Sequence, residues 1–317
     1  MKTGSGKYEQ LLALCSGLAP ATTAVAHPCE VSALTGALDA ARLKLIVPIL
    51  VGPAAKIASV AKEADLALDG VRIVDVPHSH AAAAKAVELV RAGEAEVLMK
   101  GSLHTDELMS AVVAKEVGLR TGRRISHVFL MDVPTYPKVL IITDGAINIA
   151  PTLEDKVDIV QNAIDLARSL DVALPKVAIL SAVETVTSKM QSTIDAAALC
   201  KMAERGQITG GLLDGPLAFD NAISREAART KGIRSEVAGD PDILLAPDLE
   251  AGNSLAKQLS FLANADSAGL VLSARVPIIL TSRADSVRSR TASCGVALRM
   301  VHARRSAAQR AAAEGRA

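Results

Sequence analysis

The residues best suited to chemistry stand at the end of an apolar run, in Pro277-Ile-Ile-Leu-Thr-Ser-Arg-Ala-Asp-Ser-Val-Arg-Ser-Arg290. Residues 277–280 read as a short buried parallel strand that delivers Thr281, Ser282 and Arg283 to its carboxyl end. Open α/β sheets bind ligands at that end. Asp285 or Ser286 can cap the helix that follows, and the free N–H groups of its first turn, with Arg283, Arg288 and Arg290 close in sequence, attract an anion. A phosphate pocket is one reading of this stretch. A capped helix start with solvated arginines is the other.

Other polar groups fall at predicted strand exits: Lys100-Gly101-Ser102, Thr143-Asp144 with Asn148, Asp214-Gly215-Pro216, and Gly252-Asn253. In a doubly wound sheet such exits face one crevice, so residues distant in sequence can converge on a ligand. Taken singly, Asp144 and Asp214 also read as turn formers before glycine, and Asn253 as a cap for a helix beginning at Ser254. The six histidines show no paired ligand spacing, so no metal centre is expected, and His127 beside Ser126 reads as a packed core histidine. There is no Gly-x-Ser-x-Gly elbow for a serine hydrolase, and no G-x-G-x-x-G after a strand for a dinucleotide. Lys2-Thr-Gly-Ser-Gly-Lys7 lacks the spacing of a phosphate loop and reads as a flexible leader.

The elements that must position these groups alternate steadily. Strands are expected at 21–26, 45–51, 71–76 and 96–100, with helices between them at 30–42, 56–64 and 80–92, and Thr105 capping the next helix. The basic turn Arg120-Thr-Gly-Arg-Arg124 breaks the pattern; strands at 126–131 and 138–143 follow. Thr152 with Asp155 forms a capping box, Ser192 with Asp195 opens another helix, and Asp220 caps a helix reaching Gly232. Strands are expected at 177–180, at 210–213 ending in Asp214, at 243–246 and at 269–272. The fold class is therefore α/β, with doubly wound parallel sheets and two domains: 1–137 joined by 277–317, and 138–276.

Half of the 317 residues are apolar while aromatics are only 2%, so the core is built of Ala, Leu, Val and Ile and offers no stacking platform for nucleic acid. A net charge of +1 gives no global attraction to polyanions. The four cysteines are far apart with no C-x-x-C pair, which indicates reduced thiols. No signal-peptide core and no membrane-length apolar run is found, so a cytoplasmic protein is expected.

Leu98-Met-Lys-Gly101, Asp214-Gly-Pro-Leu-Ala-Phe-Asp220, Pro247-Asp-Leu-Glu-Ala-Gly-Asn253 and Leu280-Thr-Ser-Arg-Ala-Asp-Ser286 together resemble the phosphate acetyltransferase/phosphate butyryltransferase family, over residues 8–298. The Thr-Ser-Arg-Ala-Asp-Ser form looks closer to the butyryltransferase branch. The resemblance implies two α/β domains around a cleft, as in isocitrate/isopropylmalate dehydrogenases, and a homodimer. It implies the reaction acyl-CoA + phosphate = acyl phosphate + CoA by direct transfer in a ternary complex, with coenzyme A and phosphate as substrates and no cofactor.

In that chemistry Arg283 suits a phosphate dianion, Ser282 adds a hydrogen bond, and Asn253 with helix N-terminal amides can hold the oxyanion, each donor contributing about 3 kcal/mol in comparable sites. Lys100, Gly101, Ser126, Asp144, Asn148, Asp214, Gly252 and Arg123 are the expected substrate-binding residues; the basic turn at 120–124 either meets the CoA phosphates or is a solvated loop. The acetyl-specific members of the family carry a thiol-deprotonating aspartate seven residues after the motif serine; here Ser289 stands there, and Asp285 is the nearest carboxylate. Ser273 stands where the family usually has glycine. Two other functions remain open: a non-catalytic CoA- or phosphoanion-binding module, and a metal-dependent hydroxy-acid dehydrogenase of the same fold.

Overall fold

The computed structural model describes residues 6–281 and 285–314. The chain forms two compact units, an N-terminal unit made of residues 8–123 and those from 268 onward, and a central unit made of 124–267 together with the residues up to 7. The divide falls at 123/124 and 267/268, against the expected 137/138 and 276/277. An antiparallel ladder that pairs Val128 with Thr143 and Met131 with Leu140 keeps residues 126–143 together in one unit.

The N-terminal unit begins with α1 (Lys7–Cys15), then β1 (Ala21–Ala26), α2 (Val31–Arg42), β2 (Ile46–Gly52), α3 (Ala54–Glu63), β3 (Arg72–Asp75), α4 (Ser79–Arg91), β4 (Val97–Lys100) and α5 (Thr105–Val113). These strands are parallel and in register, Ala21 beside Ile46 and Ala26 beside both Val51 and Lys100. β4 is buried along its whole length, which is why it reads as a continuous apolar run.

The central unit holds β5 (Ser126–Asp132), β6 (Leu140–Thr143), α6 (Leu153–Ser169), β7 (Lys176–Leu180), α7 (Gln191–Glu204), β8 (Leu212–Leu217), α8 (Phe219–Ile223), α9 (Arg225–Thr230), β9 (Ile243–Leu245) and α10 (Leu249–Leu262), with strand order β5-β6-β9-β7-β8. Its core gathers Met131, Leu140, Ile142, Leu180, Leu217 and Leu244. β10 (Asp266–Leu272), β11 (Ile278–Ile279) and the long α11 (Val287–Glu314) then complete the N-terminal unit, giving the order β3-β2-β1-β4-β11-β10. β11 runs parallel to β4 and antiparallel to β10, and β5 is antiparallel to β6, so the strands of each unit are mixed where parallel ones were expected.

Local signals held in some places and were overridden in others. The Thr152–Asp155 capping box forms, with reciprocal bonds of 3.2 and 3.1 Å. Thr105 lies inside α5 rather than capping it. Ser192 and Asp195 do not cap α7: the Ser192 hydroxyl pairs with Ser181 at 2.8 Å, and the Asp195 carboxylate is drawn into a buried ion pair with Lys156 at 2.6 Å. The helix expected from Asp220 breaks at Ser224, whose hydroxyl caps α9 through the Ala227 N–H, while Asp220 pairs with Lys231. Of the expected flexible leader, residues 2–5 lie outside the described residues, and Lys7 is held in the fold. Its ammonium is buried on Asp132 Oδ1 at 3.0 Å and the Val133 carbonyl at 2.7 Å, which attaches it to the central unit. Ser273 has φ 63°, the left-handed region in which glycine is strain-free.

Candidate active site

In the N-terminal unit the carboxyl ends of β1, β4 and β11 lie side by side. Ala26 is the register partner of Lys100, and Ile279 that of Met99, so Thr281 emerges next to Gly101. Ser282 and Arg283 lie outside the described residues. At Asp285 the chain is described again. Ser286, one of the two expected caps, accepts the Ser289 N–H on its hydroxyl at 3.1 Å. One turn into α11, Arg290 is almost fully buried and its guanidinium donates to Thr281 Oγ1 at 3.3 Å. Its stem lies on Gly36 of α2, where a Cβ would come within 2.8 Å of Arg290 Cδ. Burial lowers the Arg290 pKa, opposed by Asp285 and Glu30. A buried cation is thus fixed beside Thr281 at the strand exit.

The β4 exit is shaped by a close approach. A Cβ on Gly101 would stand 2.4 Å from the Ala26 carbonyl oxygen and 2.5 Å from that of His27, so only glycine lets β4 leave the sheet here. Lys100 before it is buried, with Nζ 3.4 Å from the Gly101 carbonyl. Ser102 after it bonds to the His27 ring, the His27 carbonyl and the Cys29 N–H.

In the central unit, Asp144 is buried and saturated. Oδ1 accepts the Ala146 and Ile147 N–H groups at 2.8 and 2.9 Å; Oδ2 accepts the His127 N–H at 3.0 Å and Asn148 Nδ2 at 2.6 Å. Asn148 also donates to the Ile125 carbonyl, and its own oxygen accepts Arg124 Nε at 2.7 Å. Arg124 in turn reaches Asp155 at 3.2 Å. α10 lies against this turn: a Cβ on Gly252 would be 2.2 Å from the Asp144 carbonyl oxygen, and Asn253 Nδ2 donates to the Gly145 carbonyl at 2.8 Å. Asn253 is therefore one turn inside α10, and the cap is Asp248, which accepts the Ala251 N–H at 2.8 Å. Ser126 opens β5 and accepts Asn162 Nδ2 at 3.0 Å. His127 beside it is 1% exposed, its Nδ1 has no hydrogen-bond partner, and burial lowers its pKa to about 4 against the pull of Asp144.

Comparison with known proteins places this arrangement. Residues 78–294 match the family described as Phosphate acetyl/butaryl transferase. The chain belongs to that family. It is 67% identical to the phosphate acetyltransferase of Rhizobium meliloti over 96% of both chains, and 40% identical to the phosphate butyryltransferase of Clostridium beijerinckii over 92% of this chain and 97% of that one. Among solved structures, the branched-chain phosphotransacylase of Enterococcus faecalis V583 superposes with a TM-score of 0.78 at 31% identity, over 89% of this chain and 99% of that one. The acetyl-named relative is the more similar of the two curated relatives, whereas the Thr-Ser-Arg-Ala-Asp-Ser motif by itself pointed toward the butyryl branch.

In this member of the phosphate acetyl/butaryl transferase family the expected site residues form two groups. Lys100 and Gly101 stand at a strand end of the N-terminal unit and Asp285 just before α11, while Asp144, Asn148, Gly252 and Asn253 meet at one turn of the central unit and Ser126 opens β5 in that unit, bonded to Asn162. Asp214 joins neither. β8 runs through it to Leu217, so it is no strand exit, and its carboxylate accepts the N–H of Gly215 at 2.8 Å. Arg123 is exposed at the end of the basic turn, which is tied down by Thr121 Oγ1 donating to the Ser273 carbonyl at 2.7 Å and by Arg120 bridging Ala274. Ser289 is buried, its hydroxyl 3.1 Å from that of Ser286. Sequence reasoning missed Arg124, the basic-turn residue held by Asn148, and the link from Arg290 to Thr281. It also missed the pairing of His27 with Ser102, although Ala26-His27-Pro28 marks a strand exit as clearly as Lys100-Gly101 does. Among the described residues no helix is long and apolar enough to cross a membrane.

Proposed function

We propose that this protein is a phosphate acyltransferase that exchanges a short acyl group, acetyl or butyryl, between coenzyme A and phosphate: acyl-CoA + phosphate = acyl phosphate + CoA. The observation that carries the reading is whole-length identity of 67% to a phosphate acetyltransferase. The geometry supports it in the N-terminal unit. Thr281 precedes Ser282 and Arg283 in the chain and a capped helix start follows them, with the buried Arg290 bonded to Thr281, features suited to a phosphate dianion. Phosphate oxygen attacks the thioester carbonyl carbon, the tetrahedral oxyanion collapses, and the C–S bond breaks to release CoA. Positioning and charge stabilisation supply the catalysis, so no covalent acyl-enzyme and no cofactor is required.

Ser282, Arg283, Lys100, Gly101 and Asp285 are the residues assigned to phosphate and thioester, and Arg123 to the CoA phosphates. Asp144, Asn148, Ser126, Gly252 and Asn253 keep the 144–148 turn in shape. A cytoplasmic homodimer completes the reading. The test is to incubate purified protein with acetyl-CoA or butyryl-CoA plus phosphate and follow thiol release, with and without a chelator. Phosphate-dependent release unaffected by the chelator is expected; none with any short acyl-CoA would overturn the reading.

A further inference from the structure

Proton transfer at sulfur needs a base, Ser289 stands where the acetyl-specific members carry theirs, and the β1 exit holds another group able to serve. His27 has φ 54°, a left-handed backbone uncommon for residues other than glycine, though histidine enters it more readily than most. It is held from every side. Its N–H donates to the Val51 carbonyl at 2.7 Å, and its own carbonyl accepts the Cys29 N–H at 2.9 Å, the Ser102 N–H at 2.9 Å and the Ser102 hydroxyl at 2.7 Å. Gly101 is the residue without a side chain that lets this carbonyl come so close.

Ser102 favours one tautomer of the ring. A hydroxyl has one proton and two lone pairs. The proton goes to the His27 carbonyl at 2.7 Å, so toward His27 Nδ1, at 3.1 Å, the Ser102 oxygen is left to accept, as it does from the Cys29 N–H at 3.2 Å. This pairing favours the tautomer with the hydrogen on Nδ1 and the lone pair on Nε2, a base oriented by a hydrogen bond on its far side. His27 is half-buried. By strand register it lies in one row with Gly101 and Thr281, so its Cα is about 10 Å, two strand spacings, from the start of the phosphate-binding stretch.

We propose that His27, oriented by Ser102, is the catalytic base that exchanges a proton with the sulfur of coenzyme A. The proposal rests on the acyltransferase reading above. In the direction that consumes acyl phosphate, Nε2 takes the thiol proton as sulfur attacks the carbonyl carbon. The bond between the carbonyl carbon and the bridging phosphate oxygen breaks, and the imidazolium returns the proton to the departing phosphate, so that HPO4 2− leaves. Burial and Lys56 hold the imidazole pKa below its usual value, while Glu107 and Glu30 pull it upward; the neighbouring Cys29 thiol is itself pushed up by burial. The ring is thus neutral and able to accept at pH 7.

The experiment measures kcat and KM for acetyl phosphate plus CoA across about pH 5 to 8, the range in which an imidazole titrates, in the natural protein, His27→Gln, His27→Ala and Ser102→Ala. The natural protein is expected to lose activity on the acid side as Nε2 becomes protonated. His27→Gln is expected to lower kcat by about 100-fold with KM little changed and to lack that acid limb. Added imidazole is expected to restore turnover to His27→Ala, and Ser102→Ala to lower kcat by about 10-fold, within the range for an orienting partner. An active natural protein with a flat acid side, or a folded His27→Gln of unchanged kcat, overturns the proposal. So does a folded His27→Ala that imidazole does not rescue. The natural protein's own profile decides the matter if the variants do not fold. A natural protein with no thiol chemistry at all overturns the acyltransferase reading, a different failure.

Discussion

Two polar clusters of this molecule use the same residue types to opposite ends. In the central unit, Asp144 accepts four hydrogen bonds, Asn148 is bonded through both its oxygen and its nitrogen, and Gly252 is pressed against the turn they form. In the N-terminal unit, Gly101 is pressed just as closely on the carbonyls of Ala26 and His27, yet the cluster it closes leaves His27 Nε2 without a bond among the described residues. Saturated polar groups hold backbone in place; unsaturated ones can act on a ligand. Mutations should separate the two, with the N-terminal cluster losing rate and the central one losing stability.

The largest expected effect tests the first half of that contrast. Arg283→Ala is expected to lower kcat/KM for acyl transfer by about 1000-fold, the scale of removing one charge-stabilising donor, with no change in thermal midpoint. A comparable loss of thermal stability would show Arg283 to be structural and blur the contrast.

The second half is tested at Asp144. Asp144→Ala leaves three backbone N–H groups and one side-chain amide without their acceptor in a buried turn. Unfolding by urea is expected to show a loss of about 4 kcal/mol, at the level of breaking a buried charged network. A loss below about 1 kcal/mol, the net value of one ordinary hydrogen bond, would mean the turn does not depend on its carboxylate.

How much of this was legible in the chain follows from what each signal depends on. The parallel strands of the N-terminal unit were readable because β1, β2 and β4 are buried on both faces, and an apolar run bounded by Gly or His-Pro needs no partner to be recognised. The Thr152–Asp155 box was readable because both its bonds are local. Asp195 was misread because Lys156, distant in sequence, claims its carboxylate, and Asn253 because Gly145, even more distant, claims its amide. Asp214 was misread because β8 continues through a Gly-Pro pair that normally ends a strand. The β5–β6 and β10–β11 pairings were unreadable as antiparallel since strand direction is decided by the tertiary partner. The motifs marked the residues of the candidate site; which of them are already saturated is a property of the packed structure.

The packed glycine sharpens the contrast at a smaller scale. Gly252→Ala sets a Cβ 2.2 Å from the Asp144 carbonyl oxygen, a backbone atom that cannot swing aside. Overpacking of this kind costs about 3 kcal/mol. Exposed Gly122, in the basic turn, meets nothing within 4 Å, so Gly122→Ala is the matched control. Urea midpoints for the pair should differ; equal midpoints would mean that α10 shifts without cost.

The smallest effect concerns the histidine under the saturated turn. His127 is buried with a pKa near 4 in the folded chain, against about 6.5 unfolded, so the unfolded state binds its proton first as pH falls. Its contribution to stability is complete above pH 6.5 and declines toward pH 4. At pH 5 the loss amounts to about 2 kcal/mol, from 1.4 kcal/mol per pH unit. His127→Gln removes the titrating group, so the fall in urea-unfolding free energy between pH 7 and pH 5 should be shallower than in the natural protein by about that amount. Identical slopes would place the acid sensitivity elsewhere and leave His127 as packing alone. The contrast with His27 is then complete: one imidazole kept neutral by burial and coupled to folding, the other kept neutral beside solvent and coupled to turnover.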